Sequence, residues 1–265
     1  MSSTNPADTY ERYMVPTLFA PWADRLIESA SPRAGERVLD VGCGTGIVAR
    51  KVAARIGSEH VVGLDLNPNM LAVARSVADK DGLAITWTEG RAEELPYPDA
   101  SFDLVLCQFA LMFFADRSAA LREMRRVVRD DGRVAIAVWE GLERHPFYET
   151  LHRVIERRVG VSSLKDIFAL GDAAELRTLL SGAGFRGVEL TSITMTARFP
   201  NPDAFLAGEI DVDTAAIPAM QHLDAQERAK MTAAIRDEMI GPLRDHTERA
   251  EVVIPFHARI VCARR

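Results

Sequence analysis

The stretch Val38-Leu39-Asp40-Val41-Gly42-Cys43-Gly44-Thr45-Gly46 constrains this chain more than any other. Apolar residues surround an acid, and three glycines then alternate with small residues. An amphipathic segment follows, with Val48, Val52 and Ile56 four apart. The pattern reads as a buried strand, a tight turn and a helix. Glycine permits positive φ and lets a ligand lie against bare main chain. The helix start beyond it offers N–H groups with no partner inside the helix. A purely structural turn needs neither the acid nor this spacing, so the stretch reads as a ligand loop.

The spacing restricts the ligand. A dinucleotide fingerprint needs glycines at positions 42, 44 and 47. Position 47 is Ile47, and the third glycine is Gly46. Asp40 would also repel a pyrophosphate, whereas it suits a ligand with positive charge. A nicotinamide oxidoreductase is therefore disfavoured. A second strand, His60 to Asp65, places an acid about 20 residues after the glycines, where it can accept from ribose hydroxyls. Leu66 follows as a wall for a base, and Asn67-Pro68 reads as cap and first-turn proline of the next helix.

Asp40-Val41-Gly42-Cys43-Gly44-Thr45-Gly46 resembles the loop of class I S-adenosylmethionine (SAM)-dependent methyltransferases. The run Ala120-Leu121-Arg122-Glu123-Met124-Arg125-Arg126-Val127, then Gly132-Arg133-Val134, resembles the type 11 branch, as does the span from about 37 to 140. The resemblance implies a doubly wound α/β fold with a seven-stranded, mostly parallel Rossmann-like sheet. Its last strand would be antiparallel, with a helical insertion before it. It also implies SAM as cofactor and S-adenosylhomocysteine as product. Asp40, Gly42, Cys43, Gly44, Thr45 and Gly46 would hold the methionine moiety, Asp65 the ribose, and Leu66 and Met70 the adenine. The segment Gly90-Arg91-Ala92-Glu93-Glu94-Leu95-Pro96 resembles the family's adenine-reading segment, with Arg91 where an Asp is usual. Guanidinium is donor-only, so Ala92 N–H, stacking and Glu93 are left to read the base. Gln108, at the end of the fourth strand, is placed to touch the methionine end.

Candidate acceptor-binding residues sit at strand ends and on the aromatic segment before the first strand. They are Tyr10, Tyr13, Phe109, Met112 and Trp139, with plain core packing as the alternative for the apolar ones. His145, in the loop after Trp139, is the histidine best placed to act as a general base. The expected layout is a helical arm over residues 1–36, a SAM-binding core over 37–197, a helical insertion over 198–250 and the last core strand over 251–265. The insertion reads first as a lid that shapes the acceptor pocket, with a dimerisation element or a cover for the sheet as alternatives.

Composition bounds the partners. The chain has 265 residues and a net charge of −6, which argues against an extended nucleic-acid footprint. The fourth strand ends in Cys107-Gln108-Phe109-Ala110, not the Asn-Pro-Pro-Tyr of amino-methylating nucleic-acid enzymes. No apolar run reaches membrane-spanning length, and the polar start predicts a cytoplasmic protein. The three cysteines lack metal-ligand spacing, and no acid cluster suggests a metal site. The reading is methyl transfer from SAM to a small, apolar acceptor. A SAM-binding module without transfer remains as the alternative, with a nucleic-acid methyltransferase behind it.

Overall fold

The computed structural model describes residues 5–215 and 217–265, so the first four residues of the expected arm lie outside it. In chain order the helices are α1 (Pro6–Thr9), α2 (Ala20–Ala30), α3 (Ile47–Ile56), α4 (Pro68–Lys80), α5 (Arg117–Val127) and α6 (Pro146–Val159). They continue as α7 (Leu164–Ile167), α8 (Ala173–Gly182), α9 (Pro202–Ala215), α10 (Pro218–Gln221) and α11 (Ala225–Asp245). The strands are β1 (Val38–Val41), β2 (Val61–Asp65), β3 (Thr86–Glu89), β4 (Phe102–Gln108), β5 (Val128–Trp139), β6 (Arg186–Phe199), β7 (Thr247–Glu248) and β8 (Glu251–Arg264). They form one sheet in the order β3-β2-β1-β4-β5-β8-β6, with the two-residue β7 paired to β8. The expected seven strands are present, and β7 is an addition.

The chain divides into two compact units. The first comprises Met1–Val138, Asp172–Ser192 and Arg259–Arg265; the second comprises Trp139–Gly171 and Ile193–Ala258.

In the first unit, β1 pairs in parallel with β2 and β4, β2 with β3, and β4 with β5. Strand order reverses at β1, which lies between β2 and β4, and ligands bind such sheets at the carboxyl ends beside that point. β1 is buried along its whole length, as central parallel strands are. The helices start on the signals their sequences carry. Asn67 accepts from Asn69 N–H at the head of α4, Asp116 from Ala119 N–H at α5, and Asp172 from Ala174 and Glu175 N–H at α8.

Pro16 and Pro21 lead one to expect that the segment before β1 breaks into short helices. Pro16 does not split it; residues Tyr10–Phe19 form one π-helical stretch with Pro16 inside. The wider turn accommodates a residue that has no N–H to give. α2 then buries Trp22, Leu26 and Ile27, each worth about 1.5–3 kcal/mol of hydrophobic stabilisation. Arg133 of β5 anchors the end of α2 by donating to the Ala30 and Ser31 carbonyls, at 2.7 and 2.8 Å, while pairing with Glu36. Glu36 is partly desolvated, but its bonds from Arg133 hold its carboxyl below the usual range. Three arginines in and just after α5 are likewise occupied. Arg126 pairs with Glu123 and Asp99, Arg129 pairs with Asp103, and Arg125 donates to Gly184 O.

In the second unit, α6, α9 and α11 supply the interior, with Phe147, Leu151, Phe205, Ile235 and Met239 buried. α11 opens with a complete capping box, Asp224 and Glu227 each bonding the other's main chain. β7 and β8 pair antiparallel. Among the described residues no helix is long and apolar enough to cross a membrane.

Candidate functional site

The site is built on the carboxyl ends of β1, β2 and β4 in the first unit. Gly42, Gly44 and Gly46 all have positive φ. The loop is pinned from below. Gly42 and Cys43 N–H both donate to Leu64 O, at 2.8 and 3.0 Å, and Gly46 N–H donates to Cys43 O. A Cβ on Gly46 would stand 2.3 Å from the Trp87 ring, and one on Gly63 would stand 2.4 Å from it. Trp87 of β3 is therefore the floor beneath the loop. Gly44 is different, because a Cβ there would meet nothing within 4 Å. Its open side is the bare main chain a ligand can lie against.

Asp40 is 1% exposed. Its Oδ2 accepts from Ala49 N–H in the first turn of α3, at 3.1 Å, and its Oδ1 is buried with no partner. Burial pushes its carboxyl up to about 7; the Ala49 bond opposes the rise and the charge of Asp65 adds to it. Asp65 accepts from Gly44 N–H and from Asn67 N–H, both at 2.8 Å. The acid at the tip of β2 thus already holds the loop that lies over β1.

Other buried atoms here also lack partners: Thr45 Oγ1, Gln108 Oε1 and Glu11 Oε2. Buried polar atoms are normally bonded, so a cluster of orphans needs an explanation. Gln108 gives its amide N–H to Phe19 O at 3.1 Å, tying the π-helical stretch to the end of β4 and leaving its oxygen free. Glu11 of the same stretch pairs with Arg50 of α3 at 2.6 Å. Burial, then the charges of Glu11, Asp65 and Asp40, push the Tyr10 phenol above its usual range, which puts that hydroxyl among the site's carboxylates. Burial also raises the Cys43 thiol, so it stays protonated and inert.

The remaining expectations divide. Ala92 is buried, while Leu66 and Tyr13 are exposed. Arg91 lies 3.6 Å from Glu93, and Glu93 also accepts from Ala115 and Asp116 N–H. Glu93 therefore braces the head of α5 and is not a free acceptor for a base. Met70 is half-buried on α4. Phe109 takes a left-handed φ of 50° at the end of β4 and packs its ring against Phe19 and Trp22, while Met112 is buried beside it in sequence. A non-glycine residue in that conformation stores strain, as is common beside ligands.

Trp139 and His145 belong to the second unit, where Trp139 packs on Phe256 with centroids 5.3 Å apart. His145 does not match the role of a general base. It is 1% exposed; its Nδ1 donates to Gly141 O at 3.1 Å, and its Nε2 accepts His257 N–H at 3.0 Å. Burial lowers its imidazole to about 4. With both nitrogens bonded to main chain, it is a neutral cross-link that holds the loop after β5 to β8. Among the described residues no cluster could hold a metal ion.

A glycine-rich loop over an uncompensated buried acid, with a second acid at the next strand tip, is an arrangement suited to a ligand that carries positive charge. Residues 39–136 match the family model described as a methyltransferase domain, type 11. A ubiquinone/menaquinone biosynthesis C-methyltransferase of Shewanella frigidimarina is 30% identical over 193 residues, covering 65% of this chain and 75% of the relative. A demethylmenaquinone methyltransferase of Thermus thermophilus is 39% identical over 115 residues, covering 43% of this chain and 52% of the relative. The chain thus spans about half the length of this last relative. The YcgJ protein of Bacillus subtilis shares the fold, with a TM-score of 0.59 at 20% identity over 92% of this chain and 97% of that one. The chain belongs to the SAM-dependent methyltransferase family.

The residues present fit that family's cofactor. Asp40 Oδ1 and Gln108 Oε1 are acceptors awaiting donors, as an α-ammonium would supply, and the Asp40 charge suits a sulfonium. The open side of Gly44 leaves room for the ligand's body beside Asp65. Sequence reasoning missed Trp87 and Glu11. The alternation of Thr86-Trp87-Thr88 marks a strand face, but nothing local says that two glycines from other segments rest on the indole.

Proposed function

We propose that this chain transfers a methyl group from SAM to a small, largely apolar molecule. The observation that carries the reading is Asp40, a buried carboxylate whose Oδ1 has no partner, next to a glycine loop with open space above Gly44. When bound, SAM supplies an electrophilic methyl on sulfur, and the protein's part is position, charge and exclusion of water. Asp40 and Gln108 hold the methionine end, Asp65 orients the ribose, and Ala92 N–H reads the adenine edge. Tyr10 keeps its proton and serves as a donor. His145 takes no proton, so an acceptor that needs deprotonation brings its own low pKa or uses another group. The names of the quinone-methylating relatives support an apolar, ring-bearing acceptor.

The test is calorimetric titration with SAM, S-adenosylhomocysteine and NADH. Micromolar binding of the first two and none of NADH is expected. Asp65→Ala removes a charged hydrogen-bond acceptor and should weaken SAM by about 1.5–3 kcal/mol, roughly 10- to 100-fold. No binding of SAM to the wild-type protein would refute the reading.

A further inference from the structure

The second unit buries acid that the SAM site does not use. Glu209 and Asp213 lie one turn apart on α9, and Tyr148 and His152 lie one turn apart on α6. Such i,i+4 pairs share a helix face. The Tyr148 hydroxyl bonds Glu209, and Asp213 accepts from the hydroxyls of Ser162 and Ser163. Asp213 is 2% exposed, while Glu209 is only half-buried and remains within reach of a ligand. Neither acid has an ion-pair partner among the described residues; every group bonded to them is neutral.

Two further observations point to a ligand. His152 is 5% exposed, acts electrostatically on Asp213, and has an Nδ1 that is buried with no partner; its Nε2 lies 3.4 Å from Glu156. The Tyr148 ring is also flanked by Phe168 and Phe256, with centroids 5.7 and 5.5 Å away. Carboxylates beside aromatic faces are the combination that binds organic cations, through charge and through the ring quadrupole.

We propose that the second unit binds an organic ammonium group, with Glu209 and Asp213 as counter-ions, Tyr148, Phe168 and Phe256 as its aromatic wall, and His152 Nδ1 as a hydrogen-bonding partner. The inference concerns the second unit alone and goes beyond the methyl-transfer reading. Burial and the charge of Asp213 push Glu209 up to about 7, as expected for a carboxyl that lacks its cation. Burial also raises Asp213, against the pull of the serine hydroxyls. A structural role alone does not explain Glu209: Tyr148 could be satisfied by a neutral amide, without burying a charge.

The experiment titrates the full chain with phenethylamine, its neutral analogue phenethyl alcohol, and phenylacetate, at pH 8 and with SAM titrated separately. The amine is expected to bind at least tenfold more tightly than the other two. Glu209→Gln should abolish that preference while leaving SAM affinity within error and Tm at pH 8 no lower than that of the wild type. Should Glu209→Gln fail to fold, the wild-type preference for phenethylamine over phenethyl alcohol should largely disappear between pH 8 and pH 6 as the Glu209 carboxyl takes a proton, and a preference unchanged over that range overturns the proposal. Equal binding of all three probes, no binding of the amine, or an amine preference that survives Glu209→Gln in a folded protein overturns the proposal. Absence of SAM binding with amine binding intact would instead refute the methyl-transfer reading alone.

Discussion

Asp40 makes cofactor affinity depend on pH in a way that can be worked out beforehand. Its carboxyl titrates at about 7 in the unliganded protein because burial disfavours the charge. A cationic ligand prefers the ionised form. At pH 8 the group is ~90% ionised and at pH 6 ~10%, so SAM should bind roughly tenfold more weakly at pH 6, about 1.4 kcal/mol. Burial holds the protons of nearby Cys43, Cys107 and Tyr10 above that window. Asp40→Asn keeps the shape and an oxygen for Ala49 N–H but removes the charge. Its SAM affinity should be about 10- to 100-fold lower and flat from pH 6 to 8. Stability should move the other way. The folded pKa lies above the ordinary value, so the native state holds a proton the unfolded chain has released. Unliganded stability therefore falls as pH rises from about 4 to 7, and Asp40→Asn should raise Tm at pH 8. Calorimetry and thermal melts on both proteins across pH 6–8 decide the matter. A flat wild-type profile, or the same slope in Asp40→Asn, would falsify the assignment of Asp40 as the counter-ion.

The glycines should separate in a paired experiment. Gly44→Ala incurs only left-handed backbone strain, about 1–2 kcal/mol, yet puts a methyl where the ligand lies, so SAM binding should vanish with a modest fall in Tm. Gly46→Ala adds overlap with the Trp87 ring and should destabilise by roughly 2–5 kcal/mol, visible as the larger Tm loss. His145→Ala leaves Gly141 O and His257 N–H without their partner and should cost about 1–3 kcal/mol for each. The pH profile of kcat should stay where it was, and a loss of turnover at unchanged Tm and unchanged SAM affinity would restore His145 as a base.

What was legible in the sequence is what local chemistry determines. The strand–glycine–helix unit around Asp40, the acid at the tip of β2 and the caps Asn67, Asp116 and Asp224 are each written within a few residues, and the structure contains them all. What was not legible depends on distant partners. His145 reads as a free loop histidine until β8 brings His257 N–H to it, 112 residues further on. Glu93 reads as a substitute for the missing adenine-reading acid until it is seen bracing Ala115 and Asp116. Pro16 reads as a helix breaker because a π-helical turn has no short-range signature. Two acids four apart in an apolar helix, Glu209 and Asp213, were visible in the sequence. Their meaning depends on the face of α6 that meets them.

Both units thus sacrifice stability at one place. Burial pushes the carboxyls of Asp40 and of the half-buried Glu209 to about 7, and among the described residues neither has an ion-pair partner. A fold optimised for stability alone would pair such a group with Arg or replace it, since an unpaired buried charge is costly. This chain has arginines to spare and uses them elsewhere, at Glu36, Glu123 and Asp103. The two exceptions stand where a ligand would supply the missing charge: a sulfonium and an ammonium at Asp40, an amine at Glu209. Ligand binding should therefore raise Tm more at pH 8 than at pH 6 for SAM and for the amine alike. Each ligand's gain should disappear in the variant that neutralises its own acid and persist in the other.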